Sequence, residues 1–231
     1  MASTSEAFNV VVLISGSGTN LQALINGLPT FRNPTARISL VVSNSKFAFG
    51  LQRAQSADPT IPTQIFSLAS FRKQHPNLIN ENEIRAQYDR ELAEIVKLGK
   101  PRLVVLAGFM HILSEEFLKK MQANWDSGDG SSIPVINLHP ALPGQFDGAN
   151  AIQRAWEAGP DGTAQVCETG VMIHEVIPEV DRGKPILVRK VELKRDESLE
   201  ALQQRIHQVE HELIVEGVIE VLRRIASTDH S

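Results

Sequence analysis

The apolar segment Ile133–Leu138 runs into Asn137-Leu138-His139-Pro140, which sets an amide and an imidazole two residues apart. In a strand, residues two apart point to the same face, so the two side chains project together. Ligands of open parallel sheets bind beyond the carboxyl ends of the strands. At such an edge the two groups could bind a carbonyl oxygen and stabilise the charge it gains during attack. Asp181, on the later turn Asp181-Arg182-Gly183, could accept a hydrogen bond from the imidazole and favour its protonated form. Taken singly, each of the three is also a common turn former at a strand end.

A second constellation follows the first apolar run, where Ser15-Gly16-Ser17-Gly18-Thr19-Asn20 leads into a helix-like segment. Glycine lets the backbone approach an anion closely, and the first N–H groups of a helix supply donors. Ser17, Thr19 and Asn20 could add side-chain hydrogen bonds. The dinucleotide fingerprint is incomplete, because the position three after Gly18 is Leu21, and the Lys-Ser/Thr ending of a P-loop is missing too. The turn therefore favours a mononucleotide-sized phosphate over a dinucleotide. A tight capped turn with no ligand is the other reading.

The elements that must hold these residues can be read from periodicity. Apolar runs at Asn9–Ile14, Arg37–Val42, Gln64–Leu68, Arg102–Ala107 and Ile133–Leu138 alternate with helical candidates near Asn20–Gly27, Phe47–Ala54, Glu81–Leu98, Ser114–Met121 and Ala149–Glu157. Such βαβ alternation predicts an α/β fold, a mostly parallel twisted sheet with helices on both faces. After Gly162 the pattern changes to two successive β-like segments, Val171–Ile177 and Pro185–Leu193, which predicts an antiparallel addition to the sheet edge. A long C-terminal helix is expected from about Glu197 to Ile225. Asp126–Ser132 is too polar to pack and reads as a mobile surface loop. One domain is expected over 1–231, with tails at 1–8 and 226–231.

Composition narrows the function classes. A chain of 231 residues with 42% hydrophobic and 22% charged content can bury a substantial core. A formal charge of -4 argues against a general nucleic-acid binder. The single cysteine, Cys167, excludes an intramolecular disulfide and a cysteine metal cluster, and no basic neighbour marks it as a nucleophile. No apolar run is long enough to span a bilayer, and the opening MASTSEAF lacks the pattern of a secretory signal. A cytoplasmic protein with no membrane partner is expected.

Three further residues carry weaker signals. Glu210 lies four after Ile206 and three before Leu213, on the face of the last helix expected to be buried. A carboxylate there needs a partner, either a ligand amine or a structural Arg or Lys. His174 alternates with Met172 and Val176 and reads alone as a core histidine. His207, one turn before Glu210, reads alone as a surface histidine.

Several segments together carry a family resemblance: VVLISGSGTNLQALI, VVSN, YDREL, LVVLAGFMHILS, NLHPALPG and HQVEHELI, in order from Val10 to about Leu222. The chain closely resembles the phosphoribosylglycinamide formyltransferases, monofunctional folate-dependent enzymes of purine synthesis, and most of all their fungal form. The resemblance implies a Rossmann-like formyltransferase fold and 10-formyltetrahydrofolate as co-substrate, with no metal. It places Asn137, His139 and Asp181 on the catalytic positions and Gly16, Ser17, Gly18, Thr19 and Asn20 on the phosphate-binding turn. Met110, His111, Ile112 and Leu113 match a segment lining the pterin pocket. So does the loop Val176, Ile177, Pro178, Glu179, Val180 and Asp181, which contacts the folate head. Arg85 matches an arginine near the folate tail, Glu210 the carboxylate that contacts the acceptor, and His174 and His207 fall beside the substrate.

Three positions depart from the bacterial pattern: His111 stands where arginine is common, Ala141-Leu142-Pro143-Gly144 shortens a Ser-Leu-Leu-Pro, and Asn150 replaces a histidine. The expected reaction is attack of the acceptor's amine on the formyl carbon, with Asn137 and a protonated His139 holding the oxyanion. Partners are then small molecules, with a monomer or homodimer expected. Rival readings are a formyltransferase for another amine, such as a formyl-tRNA or sugar enzyme, a formyl-folate hydrolase, a phosphate- or nucleotide-binding module, and a dinucleotide oxidoreductase. A formyl-tRNA enzyme is expected to carry an appended basic domain, and a hydrolase a preceding regulatory domain and no acceptor-side carboxylate such as Glu210. The oxidoreductase is disfavoured by Val42-Ser43-Asn44, which puts no acidic residue at the end of the second strand.

Overall fold

The computed structural model describes residues 7–31, 35–122, 132–162 and 164–228. Residues 126–131 of the expected surface loop, and the outer parts of both expected tails, lie outside the described residues. The chain divides into two compact units, 1–135 with 218–231, and 136–217. Its strands form a seven-stranded sheet in the order β3-β2-β1-β4-β5-β6-β7.

In the first unit, β1 (Phe8–Ile14) pairs in parallel with β2 (Ala36–Ser43) on one side and with β4 (Leu103–Leu106) on the other, and β2 pairs in parallel with β3 (Thr63–Ile65). Val10 to Ile14 and Leu103 to Val105 are buried, as strands covered on both faces must be. The helices α1 (Thr19–Gly27), α2 (Gly50–Gln55), α3 (Leu68–Gln74), α4 (Glu81–Lys97) and α5 (Glu115–Gln122) supply the rest of this unit's core. Tyr88 of α4 is fully buried, stacks on Phe66 at 4.7 Å between ring centroids, and donates its hydroxyl to the Phe66 carbonyl at 2.7 Å.

Two expectations for this unit are corrected. The third apolar run does not stay extended to Leu68: the strand stops at Ile65, because the Ser67 hydroxyl accepts from Ser70 N–H and caps α3. The second helix begins at Gly50 rather than Phe47, since the Ser45 hydroxyl accepts from Phe47 N–H and holds a turn there.

In the second unit, β5 (Val135–His139) is followed by α6 (Ala151–Glu157), β6 (Glu168–Glu175) and β7 (Pro185–Glu192). The β5–β6 and β6–β7 pairs are antiparallel, and Asn137 stands opposite His174 in the first of them. The strand expected at Val171–Ile177 is β6, shifted toward the N-terminus. It ends at Glu175, whose N–H donates to Lys184 O as the chain turns back, and Pro178 has no N–H with which to continue the ladder. The long helix α7 (Leu199–Thr228) closes the described chain. Within the second unit it approaches β6 at Gly217, where a Cβ would lie 2.9 Å from Ile173.

The phosphate-type turn depends on a close approach of two glycines. Gly18 has φ +69° and caps α1 without a side-chain hydrogen bond, and a Cβ on it would lie 2.5 Å from Gly50 Cα. Left-handed strain and a backbone clash therefore act together on any larger residue. Gly18→Val is expected to lower unfolding free energy by about 2–4 kcal/mol, read from the urea midpoint at unchanged slope. An unshifted midpoint would show that the turn is not built as described.

Candidate active site

Asp181 sits on the turn after β6 with φ +56°, a left-handed conformation that Asp tolerates better than most residues. Its carboxylate has four polar neighbours. Oδ2 accepts from Gly148 N–H at 2.7 Å and lies 3.3 Å from His139 Nδ1. Oδ1 accepts from Asn137 Nδ2 at 3.2 Å and lies 3.5 Å from His174 Nε2. The reversal back to β7 passes Gly183, where a Cβ would stand 1.6 Å from Glu175 O, so no other residue fits. Strand alternation brings Asn137 and His139 to one face of β5, and the antiparallel register adds His174 from β6.

Protonation states follow from which partners can only accept. The Glu175 carbonyl accepts from His174 Nδ1 at 2.8 Å, so that nitrogen carries hydrogen. The His174 Nε2 lies 3.1 Å from Asn137 Nδ2, and the amide donates to Asp181. Asn137 is thereby fixed in orientation, with its nitrogen directed at the carboxylate. His139 differs, because it faces two acceptors: Asp181 Oδ2 on Nδ1, and the Phe146 carbonyl 3.2 Å from Nε2. Only the cation satisfies both.

Burial opposes that cation. His139 is 4% exposed, and desolvation lowers its pKa below the usual 6.5, outweighing the attraction of Asp181. Burial thus works against the expected protonated His139, while its two acceptors favour it. The carboxylate is the stronger acceptor of the two, so the single proton of a neutral ring is best placed on Nδ1. Burial raises the Asp181 pKa, but the donors from His174 and Gly148 and the charge of the two imidazoles outweigh it and bring it below 3.8.

The other anticipated residues form separate groups. Within the second unit, Glu210 is buried on α7 and His207 is exposed on it. Val176 is half-buried, while Ile177, Pro178, Glu179 and Val180 are exposed. Within the first unit, Ser17 is exposed, Thr19 half-buried and Asn20 buried. The Ser15 hydroxyl accepts from Met110 N–H at 2.7 Å, which ties the phosphate-type turn to the segment 108–113. Met110 and Ile112 present exposed apolar side chains there, whereas Leu113 is buried. His111 turns inward: its Nε2 lies 2.6 Å from Asp89 Oδ1, and the other oxygen of that fully buried carboxylate accepts from Ser114 N–H at 2.6 Å. Arg85 donates to the Ile112 carbonyl at 3.1 Å.

Sequence reasoning did not single out two contributors: the Gly148 N–H and the Phe146 carbonyl. Both are main-chain atoms, which leave no mark in residue identity. Arg154 holds both the Phe146 and Asp147 carbonyls, and Arg182 pairs with Asp147 at 2.5 Å, so the loop 144–148 is anchored where it meets His139.

The family model described as formyl transferase matches residues 8–218, nearly the whole chain. The chain belongs to the formyl transferase family. Among its relatives, phosphoribosylglycinamide formyltransferase of Schizosaccharomyces pombe is 45% identical over 93% of this chain and 97% of that protein. The Saccharomyces cerevisiae enzyme of the same name is 41% identical over 94% of this chain and 98% of its own length. The crystal structure of phosphoribosylglycinamide formyltransferase from Campylobacter jejuni superposes with a TM-score of 0.75 at 33% identity, covering 95% of this chain and all of that one. The mixed sheet with its antiparallel C-terminal strands is thus the formyl transferase fold.

In this formyl transferase, acid sensitivity follows from the two shifted groups. Each has a folded-state pKa below its unfolded value, so its contribution to stability is complete above that value. The contribution is lost as pH falls, from about 6.5 downward for His139 and from about 3.8 downward for Asp181. An NMR titration of His139 should give a midpoint below 6.5, and Asp181→Asn should depress it further by removing the opposing charge. A midpoint above 6.5 would contradict the dominance of burial.

Proposed function

We propose that this protein transfers the formyl group of 10-formyltetrahydrofolate to the primary amine of 5'-phosphoribosylglycinamide. The observation that carries this reading is Asp181, held within 3.5 Å of the polar atoms of Asn137, His139 and His174 in a chain 45% identical to an enzyme of that name. No metal takes part. The acceptor amine attacks the formyl carbon, its lone pair forms the new C–N bond, and the carbonyl π electrons move to oxygen. Asn137 donates to that oxygen. His139 starts neutral with Nδ1–H directed at Asp181, and its Nε2, which faces the Phe146 carbonyl at rest, takes a proton from the attacking nitrogen, directly or through one water. The imidazolium so formed is stabilised by Asp181 and becomes a second donor to the oxyanion. It then returns the proton to the folate nitrogen as the bond from that nitrogen to the formyl carbon breaks.

Remote contacts orient the reactants. The turn Gly16–Asn20 takes the acceptor phosphate on backbone N–H groups, with Ser17, Thr19 and Asn20 adding side-chain donors. Glu210 pairs with the acceptor amine, and His207 and His174 support its binding. The segment with exposed Met110 and Ile112 and buried Leu113, and the largely exposed loop 176–181, are the two segments assigned to the pterin. Here His111 acts mainly by fixing the 110–113 backbone through Asp89, and Arg85 sits at the folate tail. The whole chain works as one formyltransferase domain on small molecules in the cytoplasm, as a monomer or homodimer, without nucleic acid or membrane.

The test is a spectrophotometric transfer assay with formyl donor and phosphoribosylglycinamide beside a control without acceptor. Acceptor-dependent release of tetrahydrofolate supports the transferase. Equal release in both cuvettes would identify a hydrolase, and silence in both would favour a binding module. His139→Ala should lower kcat by about 10²–10³-fold, the scale of a lost oxyanion donor. Full turnover in that variant refutes the role given to the ring.

A further inference from the structure

The turn that reads as a phosphate cradle is held from outside by the second helix. Gly50 N–H donates to Gly16 O at 3.1 Å, and Arg53 Nε donates to Ser17 O at 2.9 Å. The same guanidinium reaches Gln22 Oε1 on α1 at 3.2 Å and lies over the Phe49 ring, 5.0 Å from its centroid. Thus two successive carbonyls of the turn are drawn toward α2. In a planar trans peptide the N–H points opposite to the C=O. Fixing Gly16 O and Ser17 O on the α2 side therefore turns the N–H groups of Ser17 and Gly18 to the other side, a pair of adjacent amides of the kind that forms an anion-binding nest.

We infer that Arg53 is a positioning residue for acceptor binding: it sets the direction of the Gly18 amide through Ser17 O and adds a positive charge behind the phosphate turn. The inference rests on the reading of Gly16–Asn20 as the phosphate site. Arg53 makes no claim on the chemical step, so its signature is selective for the anion. Lysine keeps the charge but lacks the directional Nε–H and the planar surface that lies on Phe49.

The experiment compares wild type, Arg53→Met and Arg53→Lys in the transfer assay, with inorganic phosphate as a competitor of the acceptor. Arg53→Met should raise both the acceptor KM and the phosphate inhibition constant by about tenfold, while the formyl donor's KM moves less than twofold. Arg53→Lys should fall between this variant and wild type. A merely structural role would lower the melting temperature and shift both substrates alike, and that pattern overturns the inference. So does an unchanged phosphate inhibition constant in either variant, which keeps the test open if Arg53→Met does not fold. Should phosphate fail to compete with the acceptor in wild type, the phosphate-site reading itself falls and takes the inference with it. Competition in wild type with no change on substitution removes Arg53 alone.

Discussion

A carboxylate taken out of water must be matched by donors, or it costs more than the local fold can repay. Asp181 meets that demand with the Gly148 N–H and the Asn137 amide, and with the two imidazoles close by. The match works in both directions. The charge orients Asn137, selects the Nδ1 tautomer of His139 and draws the loop 144–148 against the strand ends. The left-handed backbone at Asp181 and the clash that forces glycine at position 183 then follow as conditions for bringing the carboxylate back to β5.

The same carboxylate explains how one imidazole can serve two needs. A ring that burial holds toward the neutral form can take a proton, and once charged it faces an anionic partner that was in place beforehand. Desolvation and the charge of Asp181 thus pull the His139 pKa in opposite directions, and the proposed reaction has the ring change state. Asn137 needs no such balance, because its donor is permanent and its orientation is set by the Asp181 carboxylate. This separation of a fixed donor from a titrating one is the chemistry the site offers to an acyl transfer.

Much of the fold was legible in residue order because the buried strands β1, β2, β4 and β5 are short apolar runs bounded by breakers. The errors lie where local polar chemistry overrides that pattern. Ser67 caps a helix inside an apolar stretch, and β6 begins at Glu168-Thr169-Gly170, which no hydrophobic run announces. At the site, the spacing of Asn137 and His139 revealed their common face, but pairing with Asp181 across 42 positions of chain came from family resemblance. Hydrogen bonds from main-chain atoms such as Gly148 N–H stayed invisible. His111 shows the other limit: the family resemblance placed it in a pocket-lining segment, whereas Asp89, buried on α4, turns it inward.

The central claim is that the negative charge of Asp181, beyond its shape, makes Asn137 and His139 competent. Replacing it by the near-isosteric Asn and measuring kcat for formyl transfer tests this most directly. With the protein folded and substrate KM values within a few-fold of wild type, kcat should fall by about a hundredfold or more. Turnover within a factor of three of wild type would contradict the account.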